Sequence, residues 1–383
     1  MWRGRTDMIE LPPPYSAYEP GSFAKFTLEE RFPAIVAEAQ RSLPADRVAD
    51  PRWHQLLDTV CSGLAIDTAL LAPITPWWAE RRCSLAGKSW RELGFMELEF
   101  VFYHTLNSLA GFPGHDLFAQ ARTAALATAL PMLNRLLASA ESTDFDQALD
   151  LALFGNSVDL SQVARVRGLA SNIVVDERRA LRAIASKACD IHLVADNAGE
   201  ELCSDLLLCS ALLEDSQSTV TLHLKPWPMF VSDALTSDVD RSLDAFAAGS
   251  TQLSGVAARL KQAAAEGRFV TAAAVDWGEP RAFDAMSPSL TATLAAADLV
   301  LLKGDLNYRR CIGDRSWPAT TPIAQAANVP FGPTFALRVL KSEAVAGLAV
   351  SEEAALDAEQ PQWRTNGKFA MVQRVDIGRP SCR

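Results

Sequence analysis

The sequence predicts an α/β fold: a doubly wound, Rossmann-like, mostly parallel sheet with an N-terminal helical lobe. Three observations carry that expectation. Over the first 150 residues, leucine, alanine and aromatic residues recur at three- and four-residue spacing with little β-branched alternation, the period of helices. From about residue 165 short apolar runs alternate with helical stretches, the pattern of strands and the helices that cover them. Several of those runs empty directly into Asp, Asn, Lys and Gly, at the strand ends where open α/β sheets bind ligands.

In chain order, Leu11-Pro12-Pro13-Pro14-Tyr15 reads as a leader lying on the surface. The helical lobe, residues 1–150, holds periodic segments at 54–71, 96–110 and 115–139, punctuated by Pro73, Pro76, Gly111 and Pro113. The second unit, 151–383, opens its strand series at 191–195. Residues 199–213 then place Leu202, Leu206, Cys209 and Leu213 on one helical stripe. Residues 219–224 alternate Thr, Val, Thr, Leu, His, Leu, a strand with two unlike faces. Further strands are expected at 270–275, 299–302, 345–350 and 369–372, with helices at 240–265 and 289–297 preceding the first two.

Composition narrows the function. The chain has 383 residues, 49% of them hydrophobic, enough for one large core or a core with a satellite. A net charge of −10 and the absence of a Lys/Arg-rich run argue against nucleic acid as a partner. A phosphorylated small molecule would have to be held by a few local cations and a metal. The seven cysteines include no C-x-x-C pair and sit mostly in apolar runs, so they read as reduced core residues. Residues 1–14 carry charges and prolines where a secretory signal needs an apolar stretch, and no run of about 18 apolar residues occurs. A soluble, cytoplasmic protein without a membrane segment is expected, its oligomeric state left open.

Three strand ends carry the chemistry. The first is Asp196-Asn197-Ala198-Gly199-Glu200, where hard oxygen donors meet a small-residue turn; a simple helix cap is the plain alternative. The second is Val231-Ser232-Asp233, one strand away if the sheet runs as expected, where Asp233 would complete an oxygen site for an ion such as Mg²⁺ or Mn²⁺. The third is Lys303-Gly304-Asp305-Leu306-Asn307-Tyr308-Arg309, in which Lys303 suits a phosphate and Gly304 permits close backbone approach. Neither G-x-G-x-x-G nor a P-loop is present, nor a G-x-S-x-G elbow. The five histidines are scattered, and His115-Asp116 lacks the further histidines of an HD-type metal site.

These three strings, with Leu222-His223-Leu224-Lys225-Pro226 between the first two, strongly resemble the damage-control phosphatase family, in the branch that also includes proteins called acidic residue methyltransferases. Gly21-Ser22-Phe23-Ala24 with Thr27 and Arg31-Phe32-Pro33 is similar to the family's opening segment, Gly155-Asn156 with Asp159-Leu160-Ser161 to its central one, and Gly367-Lys368 to its terminal strand. The resemblance implies a phosphatase acting on sugar phosphates and related phosphometabolites, dependent on a divalent ion (Mn²⁺, Mg²⁺, Co²⁺ or Ni²⁺). It implies Asp196, Asn197 and Asp233 as metal ligands, Lys303 as a phosphate contact, and Asp305 as the group that orients phosphate or water. Asn156, Asp159, Glu200, Asn307 and Arg309 would line the pocket. Glu99-Phe100-Val101-Phe102-Tyr103-His104 resembles a Glu-x-Tyr-x-Tyr-Arg segment whose ends face substrate, with His104 at the arginine position and Val101 at the first tyrosine. Water or an aspartate, Asp196 in that case, would attack phosphorus. Two other readings stay open on the sequence: carboxyl methylation of acidic residues with S-adenosylmethionine, for which no glycine-rich turn is present, and a non-catalytic sugar-phosphate-binding protein.

Overall fold

The computed structural model describes residues 11–138, 144–155, 172–214 and 217–376. Its principal N-terminal helices are α1 (Phe32–Arg41), α2 (Arg52–Ser62), α3 (Pro76–Ser84), α4 (Phe95–Ala110), α5 (Ala119–Ala138) and α6 (Phe145–Phe154). Then follow β1 (Ile173–Asp176), α7 (Arg178–Ala185), β2 (Asp190–Val194), α8 (Glu200–Leu212), β3 (Thr219–His223), α9 (Thr236–Ala247), α10 (Thr251–Ala265) and β4 (Phe269–Ala272). The chain continues with α11 (Pro288–Ala296), β5 (Leu299–Lys303), α12 (Gly304–Cys311), β6 (Thr334–Val339), α13 (Val350–Glu359) and β7 (Ala370–Arg374).

The strands form one sheet in the order β1-β7-β6-β5-β2-β3-β4. β6, β5, β2, β3 and β4 run parallel, as the sequence predicts, while β7 lies antiparallel to β6 and carries β1 alongside it. β2 and β5 sit side by side at the centre, and their apolar runs are buried on both faces. One hydrophobic cluster joins Val194, Val300, Leu302 and Ala336 to the helices between Tyr15 and Phe118. The other joins Ile191, Leu193, Val220, Leu299 and Leu301 to α5, α6, α8, α9 and α10. Residues 15–118 on one side, and 129–138 with 144–154 on the other, thus cover opposite faces of the sheet.

Several elements depart from the sequence reading. No strand forms at 345–350: Gly347 and Leu348 donate to the Thr321 and Ala319 carbonyls in a loop, and Val350 opens α13. β6 was concealed by Arg338 in the middle of its run, and β1 by its brevity. The 240–265 stretch is two helices, with Ser250 capping the second. The 54–71 helix stops at Ser62, where Gly63 adopts a left-handed conformation. α8 is no amphipathic surface helix; it is buried along almost all its length because α5, α6 and α10 pack around it. The Pro12–Tyr15 leader is docked: Arg315 donates to the Pro12 carbonyl at 2.7 Å, Ser316 N–H to Pro13, and Tyr15 is buried. Cys203, Cys209 and Cys311 are buried, but Cys61, Cys83 and Cys189 are exposed, and all six are free. Among the described residues no helix is long and apolar enough to cross a membrane.

Candidate active site

Because β6, β5, β2 and β3 are adjacent and parallel, their carboxyl ends open on one edge of the sheet. From β2 the chain reaches Asp196 and Asn197, and this segment pairs antiparallel with the Asp233 turn that follows β3. Ala198 N–H donates to the Ser232 carbonyl at 2.6 Å, Ala234 N–H to Asp196 at 3.0 Å, and Lys225 N–H to Ala234 at 3.0 Å. Asn197 and Asp233 therefore stand opposite one another. Gly199, at φ +71°, makes the turn into α8 that the sequence required, against Ala125.

The two aspartates are held alike. Asp196 Oδ2 accepts from the Asn197 amide at 3.1 Å, and Asp233 Oδ2 from Phe230 N–H at 3.0 Å. Their Oδ1 atoms are turned to the Lys225 ammonium, at 4.0 and 3.9 Å. The Asn197 amide nitrogen also donates to Glu201 Oε2 at 2.9 Å, which leaves the amide oxygen to accept from the Ser232 hydroxyl at 2.5 Å.

From β5 the chain enters α12 at Gly304, whose backbone lies directly against the Asp196 carboxylate. Asp305 faces the buried Arg338 guanidinium at 3.1 Å. Asn307 is buried; its amide donates to the Lys303 carbonyl at 2.7 Å and to Ala195 at 3.4 Å, steadying the approach to Asp196. Arg309 and Glu99, both expected to face substrate, pair with each other at 2.6 Å across the lobes. Arg309 also donates to Asp314 at 2.6 Å and lies over the Phe95 ring.

Lys303 departs from its expected role as a phosphate contact. It is buried, and its three donors meet Asp205 Oδ1 at 2.7 Å, Glu201 Oε1 at 3.2 Å and the Ala152 carbonyl at 2.6 Å. Burial alone would lower its pKa, but Asp205 and Glu201 outweigh it and hold the ammonium charged. A connected path runs from Asp205 through Lys303 and Glu201 to Asn197.

His104 is a correction. Its Nε2 is bonded to the Ala72 carbonyl at 2.6 Å, its ring stacks on Trp78 with centroids 4.0 Å apart, and burial depresses its pKa to about 4. It belongs to the interior of the helical lobe, since an imidazole lacks the reach of the arginine expected there. Asn156 and Asp159 lie outside the described residues. Asp116 is taken up by Arg122, which also holds Asp238 at 3.0 Å, and His115 is exposed. Gly367-Lys368 precedes β7 rather than forming part of it.

Sequence reasoning assigned no role to Lys225, Glu201 or Lys341. Lys225 stood inside a string already quoted and Glu201 inside the 199–213 helical stretch; Lys341 follows β6, the strand that was not read. Lys341 is partly buried and has no hydrogen-bond or ion-pair partner among the described residues. Burial lowers its pKa, while the charges of Glu201, Asp196 and Asp305 act in the other direction. Burial likewise raises Asp196 to about 7, reinforced by Glu201 and opposed by Lys225. Asp233 is raised for the same primary reason. Glu200, at the start of α8, is pushed by burial to about 7, and its Oε1 has no hydrogen-bond partner among the described residues.

Among the described residues no three His, Cys, Asp or Glu side chains converge as a metal cage of their own. Two carboxylates with untied oxygens and one amide oxygen suit a hard divalent ion that keeps several waters, and the donor set fits such an ion.

The fold is similar to the crystal structure of a DUF89 family protein from Pyrococcus horikoshii, with a TM-score of 0.53 over 91% of this chain and 98% of that one, at 14% sequence identity. The chain is 27% identical to the damage-control phosphatase ARMT1 of Rattus norvegicus, over 96% of this chain and 99% of that protein, and 26% identical to that of Homo sapiens with the same coverage. A Xenopus laevis relative of the same name is 33% identical over 48% of this chain and 43% of its own length. Residues 27–356 match the model of the damage-control phosphatase ARMT1-like domain, and the chain belongs to that family.

Proposed function

We propose that this protein is a divalent-metal-dependent phosphatase that hydrolyses phosphate monoesters of sugars or related small phosphometabolites. One observation carries the reading: Asp196 and Asp233 each have one carboxylate oxygen hydrogen-bonded within the protein and the other turned to the Lys225 ammonium at 4.0 and 3.9 Å, at strand ends whose charge also acts on Lys341, a lysine with no hydrogen-bond or ion-pair partner among the described residues. Membership of a phosphatase family supplies the reaction class.

Asp196, Asn197 and Asp233 would hold Mn²⁺, Mg²⁺, Co²⁺ or Ni²⁺, which supplies Lewis-acid polarisation of the phosphoryl oxygens when bound. Lys341, rather than Lys303, is the cation that meets the phosphate, since Lys303 already has three acceptors. Lys303 fixes Glu201, which in turn sets the Asn197 amide with its nitrogen inward. Asp305, braced by Arg338, orients the phosphate or the attacking water. Asn307 keeps the Ala195 carbonyl in place beneath Asp196. Glu200 lines the pocket, and the Glu99–Arg309 pair closes it on the side of the helical lobe.

The test is phosphate release from a panel of sugar phosphates and p-nitrophenyl phosphate by metal-stripped protein supplied with each ion in turn, with Asp233→Ala as control. Release that requires metal and disappears in the control is the expected result. Release that persists in Asp233→Ala would overturn the site; none with any ion or substrate would overturn the activity.

A further inference from the structure

Most charged groups around the site are paired among themselves. Lys303 answers Glu201 and Asp205, Arg338 answers Asp305, and Arg309 answers Glu99 and Asp314. Lys225 differs: it is buried, and its ion-pair partners are Asp196 and Asp233, both beyond hydrogen-bond length at 4.0 and 3.9 Å. It faces the same two oxygens that the proposed reading, on which this inference rests, gives to the divalent ion. An ammonium and a metal ion would then share their ligands, and like charges so close repel strongly where water is scarce.

The charge balance says what relieves that repulsion. The four charges of Lys225, Lys341, Asp196 and Asp233 cancel when no ligand is bound. A divalent ion alone makes it a dication, and a phosphate dianion returns it to neutrality. We infer that Lys225 couples the two binding events: its ammonium opposes the divalent ion in the absence of phosphate and is satisfied when a phosphoryl group arrives, so each ligand tightens the other. The reciprocity is a thermodynamic requirement: whatever factor phosphate gives to metal affinity, metal returns to phosphate. The site would thereby hold little metal at rest and fill when a phosphorylated substrate is present.

The experiment is titration of metal-free, full-length protein with Mn²⁺ at pH 8, following free Mn²⁺ by electron paramagnetic resonance, with and without inorganic phosphate. Wild type, Lys225→Met and Lys225→Arg are compared. In the wild type, phosphate should lower the Mn²⁺ Kd by roughly 5- to 150-fold, the usual range of such coupling. Lys225→Met should bind Mn²⁺ more tightly than wild type without phosphate, and lose most of the further gain on adding phosphate. Lys225→Arg, which keeps the charge, should retain the coupling. A Lys225→Met protein with unchanged or weaker Mn²⁺ binding would overturn the inference, because loss of mere structural support can only weaken the site. Should methionine prevent folding, as judged by circular dichroism, Lys225→Gln makes the same comparison. Wild-type protein that binds Mn²⁺ without any response to phosphate defeats this inference alone, whereas failure to bind any Mn²⁺ defeats it together with the proposed function.

Discussion

Gly304 leaves no room for a side chain because Asp196 occupies it: a Cβ at Gly304 would lie 1.9 Å from Asp196 Oδ2. The glycine also sits at φ +81°, so an L residue is strained there whatever the space. Gly304→Ala must displace the carboxylate or the start of α12. Phosphate release should fall by about 100-fold or more, the usual consequence of misplacing a reacting group by about an ångström. Steady-state kinetics on folded variant protein checks this, and activity within twofold of wild type would sink it.

The buried Lys303 ammonium compensates two buried carboxylates. Lys303→Met strands both, and loss of one partner from a buried ion pair costs about 3–5 kcal/mol. Denaturant unfolding of the metal-free protein should show a loss of that order. Adding Glu201→Gln and Asp205→Asn should recover part of it. If Lys303→Met raised only KM and left stability alone, the lysine would be a phosphate contact after all.

A pH dependence follows from Asp196, which burial raises from its ordinary value near 3.8 to about 7. The folded chain then holds this proton more tightly than the unfolded chain, so the Asp196 contribution to metal-free stability declines as pH rises from about 4 to about 7. Metal must displace the same proton. The Mn²⁺ Kd should improve by up to about tenfold per pH unit below 7 and level off above it. Titrations between pH 5.5 and 8.5 would show this, and an affinity independent of pH would contradict it.

His104 is a stability residue. His104→Ala removes its bond to Ala72 and its stack on Trp78, and should cost about 1–3 kcal/mol. Measured on the folded fraction, kcat/KM should stay within about twofold of wild type. A tenfold fall with stability intact would return this position to the substrate pocket.

The sequence revealed the parts of this molecule whose physics is local. β2 and β5 announced themselves because central parallel strands are buried on both faces and read as unbroken apolar runs. Asp196, Asn197 and Asp233 stood out as candidates because polar groups at such strand ends are conspicuous against them, and the fold brings the three together. What stayed hidden depends on contacts distant in sequence. Lys303 and Lys341 look alike in the sequence, yet the fold places Glu201 and Asp205 around the first and, among the described residues, no hydrogen-bond or ion-pair partner at the second. β6 went unread because Arg338, which donates to the Ala344 carbonyl, faces Asp305 and lies over the Tyr308 ring, looks like an interruption. His104 and the Glu99–Arg309 pair were placed in the pocket by resemblance of short segments, which does not say that the imidazole meets Ala72 and Trp78 or that Glu99 and Arg309 meet each other.

The antiparallel seat of β7 has a consequence for how the protein is made. β1 pairs with β7, across nearly two hundred intervening residues, while β2, β3, β4, β5 and β6 pair among themselves. At ribosomal speeds of about 5–20 residues per second, β1 waits on the order of ten to forty seconds for its partner. The strands that bear Asp196, Asp233 and Lys303 can assemble in that interval. During synthesis the catalytic edge would therefore take shape before the sheet is closed at its other end, and β1 would be the strand most in need of protection from a chaperone.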